Sequence, residues 1–334
     1  MDILNALVAF LNYVFIPGLA YGSQLALGAL GVTLIFSVLR FSNFAHGDTM
    51  AFGTAISILV TWWFQSMGIS FGPLPTALLA LPFAIAVTAA FVLATDRVVY
   101  RFYRKQKAAP IILVIVSAGV MFVMNGVVRL IIGVQERNFA DGERFVLEPA
   151  AFKEWSGLNE ALAIKMTTAV TLVAATICVA LVFWFLQKTR TGKSMRAFSD
   201  NEDLALLSGI NPDRVVQITW IIAAALAVIA GTLYGLDKSF RPFTYYQLLL
   251  PIFAAAIVGG LGSPIGAIAG GFVIAYSEVF VTYAWKKVLG YLMPDSLAPD
   301  GLVQLLSTDY KIAVSFSILI IVLLFMPTGL FKGK

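Results

Sequence analysis

The sequence predicts an all-α fold: a polytopic transmembrane helix bundle of about nine spans in a single domain, residues 1–334. Of the 334 residues, 60% are hydrophobic and only 12% are charged, whereas a soluble domain carries roughly 25% charged residues. The mean hydropathy is +0.89. Runs of about 20 apolar residues, each long enough to cross a bilayer as a helix, recur along the chain.

Nine segments are predicted to span the membrane, because each is apolar over a sufficient length. They are residues 12–39, 49–67, 74–96, 110–133, 164–187, 214–236, 246–262, 264–285 and 309–327. Two segments leave the count between eight and ten. Residues 3–16 form either an extra span or an interfacial helix. Residues 258–264 form either a turn between two helices or a re-entrant segment.

The distribution of charge predicts the orientation. Residues 97–107 carry five basic residues and no acidic one, and the loop 189–213 is also basic at its start. The positive-inside rule places both in the cytoplasm, together with the C-terminus. The external loop 134–163 then carries six acidic residues against three basic ones. Because the net charge of +5 belongs to loops that flank the lipid bilayer, we expect no nucleic-acid partner.

The stretch QKTRTGKS (187–194) ends like a phosphate-binding P-loop. That motif requires a glycine five residues before Gly192, where this chain has Gln187, and it requires a strand leading in. An apolar span leads in here instead. We therefore expect that this chain binds no ATP.

The rest of the loop 189–213 predicts short helices. Asp200 or Asn201 is expected to cap a helix over residues 202–208, which Gly209 ends. Pro212 then opens the next span, with Asn211 as its N-cap. Such helices suit a groove on another protein, and they are equally typical of an ordinary amphipathic surface.

Polar residues at membrane depth are candidates for a translocation path or gate. Asn43, His46 and Asp48 lie between two apolar spans, where Gly47 is expected to interrupt the helix, and Glu278 lies within a third apolar run. Such groups need partners in protein or water. The alternative is structural, with Asp48 capping the second span, His46 bonding to backbone carbonyls and Glu278 bonding within the bundle. His46 is the only histidine, so we expect neither a metal site built on histidines nor a histidine-dependent catalytic triad.

A glycine-rich segment surrounds Ser263 and Pro264. Small residues four apart allow helices in a membrane to pack closely. The glycines assigned to this packing are Gly259, Gly260, Gly262, Gly266 and Gly270.

Five stretches resemble one family. The pattern D-L-A-x-x-x-G at 203–209 resembles the E-A-A-x-x-x-G signature of permeases of ATP-binding-cassette (ABC) importers. LRFSNFAHGDTMAFG (39–53), GKSMRAFSDNEDLALLSGINPDRV (192–215), FAAAIVGGLGSPIGAIAGG (253–271) and YKIAVSFSILIIVLLFMPTGLF (310–331) resemble branched-chain amino-acid ABC permeases of the LivH type. Asp203 and Leu204 depart from the signature, and Pro251 stands where many members have lysine.

The resemblance implies a transport subunit of the bacterial inner membrane rather than an enzyme, without catalytic residues or a cofactor of its own. Its implied partners are two ABC ATPase subunits that use ATP, a homologous second permease subunit and a periplasmic substrate-binding protein. The spans show no pair of opposite charges suited to an amino acid, so recognition is expected to rest mainly with the binding protein. The residues expected in the ATPase-coupling loop are Gly192, Arg196, Asp203, Ala205, Gly209 and Ile210.

Other functions remain open from the sequence. Related permeases with similar motifs carry urea or short amides. A stand-alone channel or secondary transporter is the alternative from another class, although ion-coupled carriers usually need more buried charges. An intramembrane enzyme would require His46 and Asp48 to act as an acid–base pair.

Overall fold

The computed structural model describes residues 2–293, 301 and 303–331, and these form a bundle of α-helices. The helices are α1 (Asp2–Phe10), α2 (Ile16–Leu39), α3 (His46–Ser66), α4 (Ala77–Thr95), α5 (Arg101–Lys105), α6 (Pro110–Ile132), α7 (Pro149–Ser156), α8 (Met166–Lys188), α9 (Arg190–Asp200), α10 (Glu202–Leu207), α11 (Pro212–Lys238), α12 (Pro242–Gly259), α13 (Pro264–Thr282), α14 (Lys286–Leu292) and α15 (Lys311–Phe325). A two-stranded antiparallel sheet joins β1 (Phe145–Leu147) to β2 (Ile164–Lys165).

The predicted polytopic bundle is confirmed. Among the described residues, eight helical segments are long and apolar enough to cross a membrane. The remaining predicted span, 49–67, corresponds to α3, which has 21 residues and is more polar. Its polar residues are buried because α4, α6, α11 and α12 pack around it. A helix shielded from lipid by its neighbours tolerates such residues where a lipid-facing helix does not.

The structure resolves both open segments. Residues 3–16 are neither an extra span nor a separate interfacial helix, because Asp2–Leu39 is one continuous helical run of 38 residues. A π-helical turn at Leu11–Phe15 joins α1 to α2. Residues 258–264 are not re-entrant, because α12 ends at Gly259 and α13 begins at Pro264 after a short turn.

The centre of the bundle is formed by α2, which packs against α8, α11, α12 and α13. Leu25, Leu27 and Leu30 of α2 are almost wholly buried. The outer helices instead expose large apolar side chains, among them Phe122 of α6 and Trp184 of α8. A surface that exposes large apolar side chains in this way is suited to contact with lipid.

Glycines bring the backbones of α12, α13 and α2 into direct contact. A Cβ added at Gly266 would collide with the backbone of Gly259, and one added at Gly270 would collide with the Ala255 carbonyl. Gly271 lies equally close to Ala26 of α2. The spacing of Gly266 and Gly270 therefore places one face of α13 against α12.

The turn between α12 and α13 is closed by the C-terminal segment. Gly260 has a φ of 109°, a conformation that favours glycine. The N–H groups of Leu330 and Phe331 donate to the carbonyls of Val258 and Gly259 at 2.8 and 3.0 Å. A side chain at Gly260 would collide with the Phe331 carbonyl.

The two ends of the bundle differ in charge. The basic end holds residues 97–107 and 189–213, which are joined by an ion pair of 2.6 Å between Arg101 and Asp213. Ser263 and the loop residue Lys193 line one cleft, so the turn between α12 and α13 lies at this end too. This arrangement agrees with the predicted alternation of spans.

The opposite end of the bundle holds residues 134–163, the predicted external loop. The Asp141 carboxylate accepts hydrogen bonds from the Gln65 side chain at 2.8 Å and the Thr76 N–H at 2.7 Å. The Ser239 hydroxyl and the Arg241 guanidinium hold the pKa of Glu136 below its usual value. These contacts tie the external loop to the neighbouring span ends.

We expect Gly270→Ala to destabilise the bundle, because the new methyl group overpacks the α12–α13 contact. Overpacking typically costs about 1–3 kcal/mol, and the thermal unfolding midpoint of the purified protein in detergent would fall. Gly126→Ala is the matched control, since nothing lies within 4 Å of a Cβ built at that helical glycine. Equal unfolding temperatures for the two variants would contradict the packing assignment.

Candidate functional sites

The TGKS stretch forms a corner between two helices. The helix α8 leads directly into α9, with Thr189 as the N-cap whose Oγ1 accepts from the Gly192 N–H at 3.0 Å. A Cβ at Gly192 would collide with the Phe185 carbonyl at the end of α8. No strand precedes the motif, so it lacks the framework of a P-loop. Gly192 instead permits α9 to fold back closely on α8.

The next helix, α10, has the predicted caps. The Asn201 side chain accepts from the Leu204 N–H at 3.0 Å. At the other end Gly209 has a φ of 79°. The N–H groups of Gly209 and Ile210 donate to the carbonyls of Leu206 and Ala205, each at 3.0 Å. This Schellman arrangement ends the helix and frees the chain to turn toward α11.

Three leucines of α10 are exposed, together with the acidic residues Glu202 and Asp203. Leu204, Leu206 and Leu207 are 60%, 42% and 85% exposed, and we call these three the leucine face. Ala205 of the same helix is buried, in contact with the bundle. The helix is thus anchored through one side and presents its leucines on the other.

The residues assigned to the ATPase-coupling loop therefore fall into two groups, those that face the bundle and those that are exposed. Gly192 and Ala205 face the bundle and set the shape of the loop, and Ile210 packs against the bundle from a partly buried position. Arg196 and Asp203 are exposed on its surface. The sequence analysis did not select Leu204, Leu206 and Leu207 as contact residues.

A buried cluster around the Asp96 carboxylate connects the basic end to α11. The Asp96 carboxylate, only 7% exposed, pairs with Arg104 and accepts from the Trp220 indole N–H at 2.8 Å. Tyr100 stacks on the Trp220 ring with centroids 5.2 Å apart. The sequence did not reveal this cluster, because Asp96 and Trp220 lie far apart in the chain.

The same cluster holds the segment before α3. The Tyr100 hydroxyl donates to Asn43 Oδ1 at 3.2 Å, and that oxygen also accepts from the Ala45 N–H at 3.2 Å. The Phe44 N–H donates to the Ser117 hydroxyl at 3.1 Å. Asn43 thus connects the start of α3 to the helices that carry the coupling loop.

His46 and Asp48 are buried in the first turn of α3 and face different helices. His46, 1% exposed, lies against α2, where a Cβ added at Gly31 would fall 2.7 Å from its imidazole ring. Asp48, fully buried, accepts from Asn125 of α6 at 2.7 Å. The expectation that Asp48 caps the second span is wrong, because α3 begins at His46 without a side-chain cap.

Neither polar side chain is fully satisfied, since His46 Nε2 and Asp48 Oδ2 have no hydrogen-bond partner within the described part of the chain. Because the two side chains turn to different helices, the geometry does not form the acid–base pair that an intramembrane enzyme would need. Gly47 does not interrupt the helix as expected. A Cβ there would lie 2.9 Å from the Tyr245 carbonyl, so the glycine permits α12 to approach.

Glu278 lies apart from these residues, in the outer half of the bundle. It is 1% exposed, accepts from the Ser315 hydroxyl and lines a cavity of about 350 Å³ that also contains Lys311. The structure thus brings together two residues of opposite charge that the sequence did not associate. The available signal was a lysine inside the predicted span 309–327.

We expect Asp96→Ala to destabilise the basic end strongly. Removing one partner of a buried ion pair leaves the other charge uncompensated and typically costs about 3–5 kcal/mol. Asp213→Ala is the matched control, because Arg101 and Asp213 are 37% and 48% exposed and such pairs contribute at most about 1 kcal/mol. Chemical unfolding in detergent compares the two variants, and equal losses would contradict the assigned role of Asp96.

Comparison with known proteins accords with this architecture. The chain is 32% identical to the high-affinity branched-chain amino acid transport system permease protein LivH of Escherichia coli K12, over 96% of this chain and 95% of that protein. It is 29% identical to the permease protein BraD of Pseudomonas aeruginosa, over 94% of each chain. The family described as "Branched-chain amino acid transport system / permease component" matches residues 14–323, and the chain belongs to that family.

Proposed function

We propose that this chain is the membrane-spanning permease subunit of an ABC importer that carries branched-chain amino acids across the bacterial inner membrane. The observation that carries the proposal is the α9–α10 loop, whose helices are capped and which presents three exposed leucines at the basic end of the bundle. The names of the LivH and BraD relatives support the choice of cargo. The chain itself performs no covalent chemistry.

The leucine face is the docking surface for an ATPase subunit. An apolar helix face that carries three exposed leucines fits a groove on another protein. Glu202 and Asp203 lie beside it in the first turn of α10, and both are exposed. Two such ATPase subunits bind and hydrolyse ATP, one on this chain and one on a homologous second permease.

The outer end receives the cargo. A periplasmic substrate-binding protein docks on the external loop 134–163, which the Asp141 and Glu136 contacts hold against the bundle. In this orientation the basic end and the C-terminus face the cytoplasm, as the positive-inside rule requires. Both soluble partners thus meet the permease on surfaces that are tied to span ends.

The contacts at the basic end supply a route for coupling. Movement of α10 acts on α11 through the chain at Asn211, and the ion pair of Asp213 with Arg101 joins α11 to α5. Trp220 of α11 and Tyr100 then act on Asn43, which precedes α3. ATP binding and hydrolysis would in this way change the packing of α3, whose buried polar residues lie in the same half of the bundle.

The direct test is uptake into proteoliposomes that contain the permease complex and its binding protein. Labelled leucine, isoleucine, valine and urea are supplied in parallel, with and without internal ATP. We expect ATP-dependent uptake of the three amino acids. ATP-dependent uptake of urea alone would support an ABC importer whose cargo is urea rather than an amino acid. Uptake without ATP would overturn the proposal in favour of a channel or secondary transporter.

The docking surface is tested by the double variant Leu204→Ala/Leu207→Ala. Truncating well-packed interface residues commonly costs more than 1 kcal/mol each, so we expect the transport-coupled ATPase rate to fall by about tenfold or more. Leu130→Ala is the matched control, because Leu130 is 88% exposed on α6, away from the loop. Unchanged ATPase coupling in the double variant would remove the leucine face from the proposal.

A further inference from the structure

The cavity that contains Glu278 lies in the outer half of the bundle and is lined by residues of α2, α11, α12, α13 and α15. Its volume is about 350 Å³, within the range of roughly 300–1,000 Å³ that small-molecule sites occupy. Its lining includes Lys238, the last residue of α11, and Thr308, which precedes α15. The cavity therefore opens toward the side from which cargo arrives.

Glu278 has an unused acceptor in this cavity. One carboxylate oxygen accepts from Ser315, and the Tyr21 hydroxyl lies beside the carboxylate, whereas Oε2 lacks a hydrogen bond of normal geometry to any residue that the structure describes. The side chain is 99% buried, being 1% exposed. A buried polar atom without a partner is costly, and a carboxylate at membrane depth is a candidate for function. The free oxygen is available to accept from a ligand.

Lys311 supplies the opposite charge. It lies near enough to Glu278 for electrostatic interaction, but the ammonium and the carboxylate do not form an ion pair within 4.0 Å. Instead Lys311 Nζ lies 4.8 Å from the centroid of the Tyr21 ring. Glu278 and Lys311 thus line one cavity without neutralising each other directly, and Lys238 and Asp309 add one further charge of each sign to its lining.

The remaining wall is partly apolar. Leu248, Pro251 and Ile312 line the same cavity, and no charge lies on these three side chains. We propose that the cavity binds a small zwitterionic α-amino acid with an aliphatic side chain. Glu278 accepts from its ammonium group, Lys311 donates to its carboxylate, and the apolar wall contacts its side chain. The choice of ligand rests on the proposed function.

The site is tested by thermal unfolding of the purified permease complex in detergent, without binding protein and without nucleotide. The probes are L-leucine, 4-methylpentanoate, which lacks the ammonium group, 3-methylbutylamine, which lacks the carboxylate, and urea. We expect leucine alone to raise the unfolding midpoint by a few degrees, because a ligand that binds the folded state stabilises it. No shift with leucine, or equal shifts with the analogues, would overturn the proposal.

Variants locate the site. Glu278→Gln and Lys311→Met are each expected to abolish the leucine shift. Ser315→Ala is expected to retain it, because that change removes the hydrogen bond between α13 and α15 and leaves both charges in place. Lys287→Met, a basic residue of α14 outside the cavity, is a second control. A shift that survives both charge variants, or that Ser315→Ala abolishes, would overturn the assignment.

Folding is checked by the ligand-free unfolding midpoint and the elution volume of each complex. A complex that shows the leucine shift but no ATP-dependent uptake would refute the proposed function and leave the site intact. ATP-dependent leucine uptake without the shift would refute the site and leave the function intact. With both present, we expect Glu278→Gln and Lys311→Met to reduce leucine uptake by about tenfold or more, since charge-assisted bonds contribute about 1.5–3 kcal/mol each.

Discussion

The Asp96 carboxylate determines how the basic end of the molecule is held together. It pairs with Arg104 and accepts from Trp220, so it joins the continuous helical segment Ala77–Lys105, which contains α4 and α5, to α11. Tyr100 packs on Trp220 and reaches Asn43, which brings the start of α3 into the same cluster. Because a buried charge must be compensated, these elements are constrained to one relative position, and the coupling loop enters the bundle beside them.

The sequence predicted the parts of the fold that depend on local pattern. Apolar runs located the spans, charge located the loops, and Asn201, Asn211 and Gly209 marked the helix ends that the structure contains. It did not reveal the continuity of α1 with α2, because a π-helical turn leaves no periodic signature. Nor did it bring Glu278 and Lys311 together, because these residues meet only when α13 packs beside α15.

The packing divides the molecule into parts of different rigidity. Gly266, Gly270 and Gly271 place α13 in backbone contact with α12 and α2, and the C-terminal segment closes the turn at Gly260. Because these backbones are closely packed, α13 has no room to slide along α12 or α2. The α9–α10 loop is different, because much of its surface is exposed and its attachment rests on a few buried side chains and one half-exposed ion pair.

The continuous helix from Asp2 to Leu39 has a mechanical consequence. Its 38 residues span about 57 Å at 1.5 Å per residue, nearly twice the roughly 30 Å hydrocarbon thickness. Asn5 near one end accepts from the backbone of the external loop, and Arg40 at the other end donates to Ser199 of α9. The helix therefore connects the two ends of the bundle mechanically. A tilt of about 5° displaces one end of it relative to the other by about 5 Å.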